Sequence, residues 1–289
     1  MAGFTTSTEK LPKFRPASDL LALEDKTSRA EKEAGKGCDN ARGAAGFAEI
    51  AALYGAAASE ALAETLWPTR CAVCDEPGEV LCEACRRNLP YLDWWRACPR
   101  CGAPFGRVQC TECNAVMMAR LGREEPPFAA CASATVFASD SARIVRTWKD
   151  SGERRLSQVM AEIMAQAVPP SWMSARPAVV PIPASARAVR RRGFDHGLEL
   201  AHAVAEQLDL PIAELLARPH SVDQRKLSRK ERLENMEGRF RALPGADAPA
   251  RVILTDDVLT TGATLYAATD ALLEAGTQEV WCLTFSRVW

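Results

Sequence analysis

Eight cysteines fall in four Cys-x-x-Cys pairs, Cys71/Cys74, Cys82/Cys85, Cys98/Cys101 and Cys110/Cys113. Each pair forms a knuckle that offers two thiolates, and two knuckles close a tetrahedral four-thiolate zinc site, so eight cysteines suit two zinc ions. A disulfide framework is the competing reading, but in a reducing compartment paired cysteines at this spacing read as metal ligands. Sequential pairing is favoured, 71/74 with 82/85 and 98/101 with 110/113; an interleaved pairing stays open, because spacing alone does not fix which knuckles meet. Four thiolates leave no coordination position for water, so the zinc is expected to be structural. A redox role would need one pair, not four. Cys38, Cys131 and Cys282 have no partner at metal spacing; the last two lie in or beside apolar strands and are expected in the core, and Cys38 in a tail.

The chain around this segment sorts into parts. Residues 1–45 mix charged and small residues with few large apolar ones, so burial would not offset the entropy of ordering them, and a disordered tail is expected. Residues 46–69 read as a helix, with apolar residues at helical spacing from Phe47 to Trp67 and Pro68 as the stop. The cysteine module spans 70–118, and Glu124-Glu125-Pro126-Pro127 marks a boundary before a domain over 130–289. With 289 residues, 47% of them hydrophobic, two folded parts are expected. The 36 Lys and Arg nearly balance the 37 Asp and Glu, so no global field draws the chain to nucleic acid or an anionic membrane. No apolar run is long enough to span a bilayer, and the first residues lack the apolar core of a secretory signal; a cytoplasmic protein is expected.

After residue 130 the pattern alternates. Strands are predicted over 132–137, 178–182, 251–255 and 279–285, and helices over 141–148, 156–168, 198–208 and 265–274. Strands alternating with helices imply an α/β fold with a doubly wound, mainly parallel sheet.

The most informative stretch follows Arg251. Val252-Ile253-Leu254 reads as a strand buried on both faces, which puts Asp256 and Asp257 at its carboxyl end, where open α/β sheets place ligands. Thr260-Thr261-Gly262-Ala263-Thr264 then combines three hydroxyls with a glycine directly before a helix, an arrangement suited to a phosphate dianion. The acidic pair suits a diol or a hydrated magnesium ion, and a phosphate with a diol describes a ribose 5-phosphate. A Walker B strand is the rival, but the chain has no G-x-x-x-x-G-K-[ST] to supply its phosphate loop. An acidic or hydroxyl residue before a helix is also often only a cap.

VILTDDVLTTGATL resembles the fingerprint of type I phosphoribosyltransferases. TLWPTRCAVC, the paired cysteines, TWKDSGE, VVPIPASARAVRRRGFDHG and RPHSVDQRKLSRKERLENMEGRF are similar to the ComF family (ComFC and GntX-like proteins), in family order over about 62–289. The resemblance implies a double zinc ribbon before a phosphoribosyltransferase-like domain that binds Mg2+-phosphoribosyl diphosphate or a related ribose phosphate. It implies ribose contacts from Asp256 and Asp257 and a 5-phosphate held by Thr260 to Thr264. Lys149, Ser151 and Gly152 would correspond to the pyrophosphate loop, and Arg218 to Phe240 to a mobile loop near the site. A link to competence and DNA uptake is implied as well. Where the family usually reads Arg-Gly-Phe-Asn-Gln, this chain has Arg192, Gly193, Phe194, Asp195 and His196, which puts an amide-mediated role there in doubt.

Two basic clusters accompany these motifs, Arg187/Arg190/Arg191/Arg192 and Arg225/Lys226/Arg229/Lys230/Arg232. Near a pyrophosphate they would neutralise a leaving group; equally they fit a solvated helix face or contacts to single-stranded nucleic acid. Arg192, Arg225, Lys226 and Arg229 are the candidates for the pyrophosphate or the loop. His196 and His202 are read as structural, and no general base is assigned. Two functions of different class remain: phosphoribosyl transfer to an unknown acceptor, or an accessory protein that senses a ligand or binds single-stranded DNA without turnover.

Overall fold

In the computed structural model, which describes residues 68–218 and 240–289, the apolar runs become four strands: β1 Ala130–Val136, β2 Ala178–Pro181, β3 Arg251–Leu259 and β4 Glu279–Arg287. They form one sheet in the order β1-β4-β3-β2, parallel throughout. Two short helices lie in the cysteine segment, α1 Glu83–Arg87 and α2 Ala115–Ala119. Beyond it come α3 Ser139–Asp150, α4 Leu156–Gln166, α5 Pro170–Ser174, α6 Ala186–Arg192, α7 His196–Leu208 and α8 Ala263–Glu274. Helices α1, α2, α5 and α6 had no sequence signal; at five to seven residues they are shorter than two turns, too short for an apolar period to repeat. The expected tail over 1–45 falls outside the described residues. So does the expected helix over 46–69, apart from Pro68 and Thr69, which are not helical. Arg225, Lys226 and Arg229 also fall outside.

Period-two alternation distributes the sheet residues between two cores. Val179, Ile253, Leu283 and Phe285 face α3, α4 and α7, while Val180, Val252, Leu254 and Cys282 face α8. Both faces are covered, which is why the strands read as continuous apolar runs rather than alternating ones. Cys131 and Cys282, partners across β1 and β4, are both buried, as their apolar surroundings imply.

The two halves of the cysteine segment divide in the same way. Cys71, Val73, Leu81 and Leu89 join the core of α3, α4 and α7, and Cys98, Cys101, Ala103 and Met118 join that of α8. Pro68–Trp289 therefore forms one compact unit. Among the described residues no helix is long and apolar enough to cross a membrane.

One boundary differs from expectation in a way that matters. β3 runs to Leu259 rather than Thr255, because β4 continues to Arg287 and keeps the ladder going: Asp256 pairs with Thr284, Val258 with Ser286 and Leu259 with Arg287. On its other side β2 stops at Pro181, opposite Thr255, as a proline that cannot donate to the ladder would dictate. The last four residues of β3 therefore run past the end of β2. A crevice opens at the carboxyl edge of the sheet.

Candidate functional site

The crevice is floored by the acidic pair. Asp257 is buried and its Oδ2 lies 2.6 Å from Lys149 Nζ, contributed by the last turn of α3. Burial alone would raise the Asp257 carboxyl, but the Lys149 charge and a hydrogen bond from Asp256 outweigh it and hold it down to about 2. Asp256 is half-buried, and burial together with the negative charge of Asp257 pushes its carboxyl well above the usual range. Two adjacent carboxylates in one site cannot both ionise cheaply, so the charge is favoured on Asp257, beside Lys149, and disfavoured on Asp256.

Beyond Leu259 the chain turns into α8. Thr260 is exposed, Thr261 and Thr264 are partly exposed, and Gly262 and Ala263 are buried. Gly262, the N-cap of α8, has φ 82°, a left-handed conformation that favours glycine. The N-cap Gly262 has no side chain to offer α8, in contrast to α7, where Asp195 accepts from Leu198 N, and α6, where Ser185 accepts from Ala188 N; Thr261 Oγ1 accepts from Ala263 N at 3.4 Å instead. Amides without a capping side chain at a helix N-terminus are donors for an anion.

Lys149, Asp150, Ser151, Gly152, Arg191 and Arg192 line an open cleft of about 400 Å³. Gly152, with φ 76°, turns the chain out of α3. Arg192 is largely buried; its Nη2 is 3.6 Å from Asp150 Oδ1 and its Nη1 is 3.1 Å from His196 Nδ1. Arg191 and Arg192 thus share one carboxylate, Asp150, while Lys149 is paired with Asp257. The structure brings Lys149, Ser151, Gly152 and Arg192 together with the acidic pair.

His196 lies beside these charges as well, although nothing in its sequence context favours it over a structural residue. Burial, and then the charges of Lys149 and Arg192, push its pKa down to about 4, so it is neutral near pH 7. Its position is set by Gly197: a Cβ there would lie 1.9 Å from the Ile182 carbonyl oxygen, so only glycine lets α7 begin against the end of β2. Asp195, the other departure from the family pattern, has a positional task. Its Oδ1 accepts from Leu198 N and Ala184 N, and its Oδ2 pairs with Arg218. His202 is exposed on α7 and stands apart.

The cysteines form two tetrads. The Sγ atoms of Cys71, Cys74, Cys82 and Cys85 lie within 4.8 Å of one another, as do those of Cys98, Cys101, Cys110 and Cys113. Neighbouring sulfurs are 3.7 Å apart in the first (Cys74–Cys82), and 3.6 and 3.5 Å in the second (Cys98–Cys113, Cys101–Cys110). A tetrahedron with Zn–S of about 2.3 Å has edges of about 3.8 Å, so both donor sets fit a structural zinc ion. Hydrogen bonding from Cys101 and nearby amides holds the Cys98 thiol down to about 4; burial raises Cys71, but the amides of Cys74, Cys82 and Val73 bring it to about 6. Cys74 and Cys85 in the first set, and Cys101 and Cys113 in the second, are raised instead, so the charge is shared unevenly within each set.

Residues 62–118 match the double zinc ribbon domain. Competence protein ComFC of Bacillus subtilis is 29% identical over 202 residues, 70% of this chain and 81% of that protein. Competence protein F of Haemophilus influenzae is 23% identical over 210 residues, 69% of this chain and 87% of that protein. Among solved structures, orotate phosphoribosyltransferase from Aeropyrum pernix overlaps 50% of this chain and 76% of its own at 17% identity and a TM-score of 0.30. The allosteric regulatory enzyme of purine biosynthesis overlaps 44% of this chain and 25% of its own at 21% identity and a TM-score of 0.30. At those scores neither superposition bears on the fold, which rests on the sheet itself. The chain is thus similar to two competence proteins over about 70% of its length, and its double zinc ribbon segment lies beside a parallel α/β sheet.

Proposed function

We propose that the crevice at the end of β3 binds a ribose 5-phosphate ligand, and that this ligand is phosphoribosyl diphosphate with Mg2+. The observation that carries the reading is the N-terminus of α8: a left-handed Gly262 among threonine hydroxyls, directly after an acidic pair whose Asp257 is held by Lys149 of a cationic cleft. The 5-phosphate would take the amides and hydroxyls of Thr260 to Thr264. Asp256, half-buried and not engaged by Lys149, would take the ribose hydroxyls. Lys149, Ser151, Gly152 and Arg192 would hold the pyrophosphate, with the loop cations Arg225, Lys226 and Arg229 as further candidates.

The donor set fits a hydrated magnesium ion through Asp256, with oxygens of the ligand as its other partners; such an ion would neutralise charge on the pyrophosphate. If the site turns over, the bond from the anomeric carbon to pyrophosphate breaks as an acceptor nucleophile attacks that carbon, and the cations of the cleft stabilise the departing charge. No general base is assigned, and the acceptor is unspecified. A role in competence, and through it DNA uptake, belongs to the same reading and is suggested by the names of the relatives.

A second reading is favoured by α6, whose Arg187, Arg190 and Arg191 are exposed beside the cleft: a non-catalytic protein that contacts single-stranded DNA. Its mark would be binding that weakens steeply with salt. Calorimetric titration of Mg2+-phosphoribosyl diphosphate into the zinc-loaded chain separates the two. The cleaner variant is Asp256→Asn, since replacing Asp257 strands a buried lysine. Binding that this variant loses supports the ribose-phosphate site, and absence of binding by the native chain rejects it.

A further inference from the structure

Arg287 is the least expected residue in the sheet. It ends β4 and is 4% exposed. Its Nη1 donates to the Cys101 carbonyl oxygen at 2.5 Å, its Nε has no hydrogen-bond partner, and among the described residues no carboxylate forms an ion pair with it. A buried guanidinium is costly unless an anion faces it. Four thiolates around one divalent ion carry a net charge of −2, so a loaded second tetrad supplies that anion.

The backbone of Arg287 lies at the start of the candidate phosphate turn. Leu259 is its partner in the ladder, and Val288 N donates to Leu259 O at 2.9 Å. The far side of the turn is tied to the end of the same ribbon, through Met118, and to the segment that follows it. Tyr266, in the first helical turn of α8, packs against Phe128 with ring centroids 5.6 Å apart, and its hydroxyl is 3.9 Å from Met118 Sδ. Its ring lies close under Gly262, where an added Cβ would come within 3.2 Å of Cε1. Arg123 holds Asp270 of α8 with both guanidinium Nη atoms and places its charge 5.6 Å from the Tyr266 ring centroid. The ribbon itself is pressed onto β1: a Cβ at Gly102 would sit 2.6 Å from the Cys131 carbonyl oxygen.

We propose that the second tetrad, Cys98, Cys101, Cys110 and Cys113, positions the Thr260–Thr264 turn, with Arg287 bracing the strand before it and Tyr266 the helix after it. Metal at that tetrad then sets the order of the turn, while the first tetrad leaves it alone. The importance of this for a ligand rests on the phosphate site proposed above; the positioning itself does not.

Hydrogen exchange on the full zinc-loaded chain reads the turn with no ligand present, so its failure is distinct from failure of the ligand reading. Arg287→Met and Cys110→Ser are expected to speed exchange of the amides at 259–266 about ten-fold or more, while amides of α4 stay within about two-fold of native. Cys74→Ser is expected to leave 259–266 unchanged. If Cys110→Ser does not fold, Arg287→Met and Tyr266→Ala, each checked to retain two zinc ions, decide the matter. Unchanged exchange at 259–266 in Arg287→Met, or equal acceleration in Cys74→Ser, overturns the proposal.

Discussion

The two ribbons share a spacing and differ in what surrounds them. In the first, Cys74 is exposed and only Cys71 is buried; in the second, Cys98 and Cys101 are both buried. The first is tied to the side of α3 and α4 by polar contacts at or near the surface. Arg143 donates to the Val73 carbonyl at 2.6 Å, Arg155 to Thr69 Oγ1 at 3.0 Å, and Arg86 pairs with Glu162 at 2.6 Å. The second is wedged between the ends of β1 and β4 and α8, with a buried guanidinium beside it. Both ribbons thus reach a core, but one leaves its ligands more open to water than the other, because access of water to a metal site depends on its packing, not on its ligands.

If this contrast holds, the metals will leave unequally. A chelator is expected to take one equivalent of zinc quickly and the second at least about ten-fold more slowly, and Cys101→Ser should cost more stability than Cys74→Ser, since structural zinc binding contributes directly to folding. Loss of both ions at one rate, followed with a colorimetric chelator, would break the comparison.

The crevice at the carboxyl edge of the sheet offers the next largest effect. Lys149→Met leaves Asp257 charged and buried, and about 3–5 kcal/mol should be lost in urea titrations. Adding Asp257→Asn should recover part of it, which a double-mutant cycle detects. Slightly smaller is an acid limb from His196. Its folded pKa of about 4 lies below the unfolded value of 6.5, so the unfolded chain binds the proton first. Stability should therefore be intact above pH 6.5 and fall by about 3 kcal/mol as pH drops to 4, a limb that His196→Gln flattens.

Two glycines sharpen the ribbon contrast at the low end. Gly78 in the first ribbon (φ 123°) and Gly102 in the second (φ 69°) both have positive φ, but a Cβ at Gly78 meets nothing within 4 Å. Gly78→Ala should cost about 1 kcal/mol from backbone strain alone. Gly102→Ala adds a clash with Cys131 and should cost clearly more, in the same thermal-unfolding assay.

Much of this architecture was legible in the chain. The tandem Cys-x-x-Cys pairs, the apolar strand before Asp256 and the Gly262 turn are local signals, since thiolate pairs, period-two burial and left-handed φ each depend on residues a few positions apart. The Lys149–Asp257 pair was not legible, because 108 positions separate two residues that only the parallel pairing of the sheet and the end of α3 bring together. Nor was the place of His196, which depends on Gly197 letting α7 approach Ile182.

The sequence by itself determined the four strands, the longer helices, the eight paired cysteines and the acidic pair before the Gly262 turn, all consequences of short-range geometry. Tertiary structure alone decided which knuckles meet, that β3 carries its carboxylates past the end of β2, and that a buried Arg287 joins the second ribbon to the turn. Those follow from strand register and from which surfaces exclude water, and neither is encoded within any one segment.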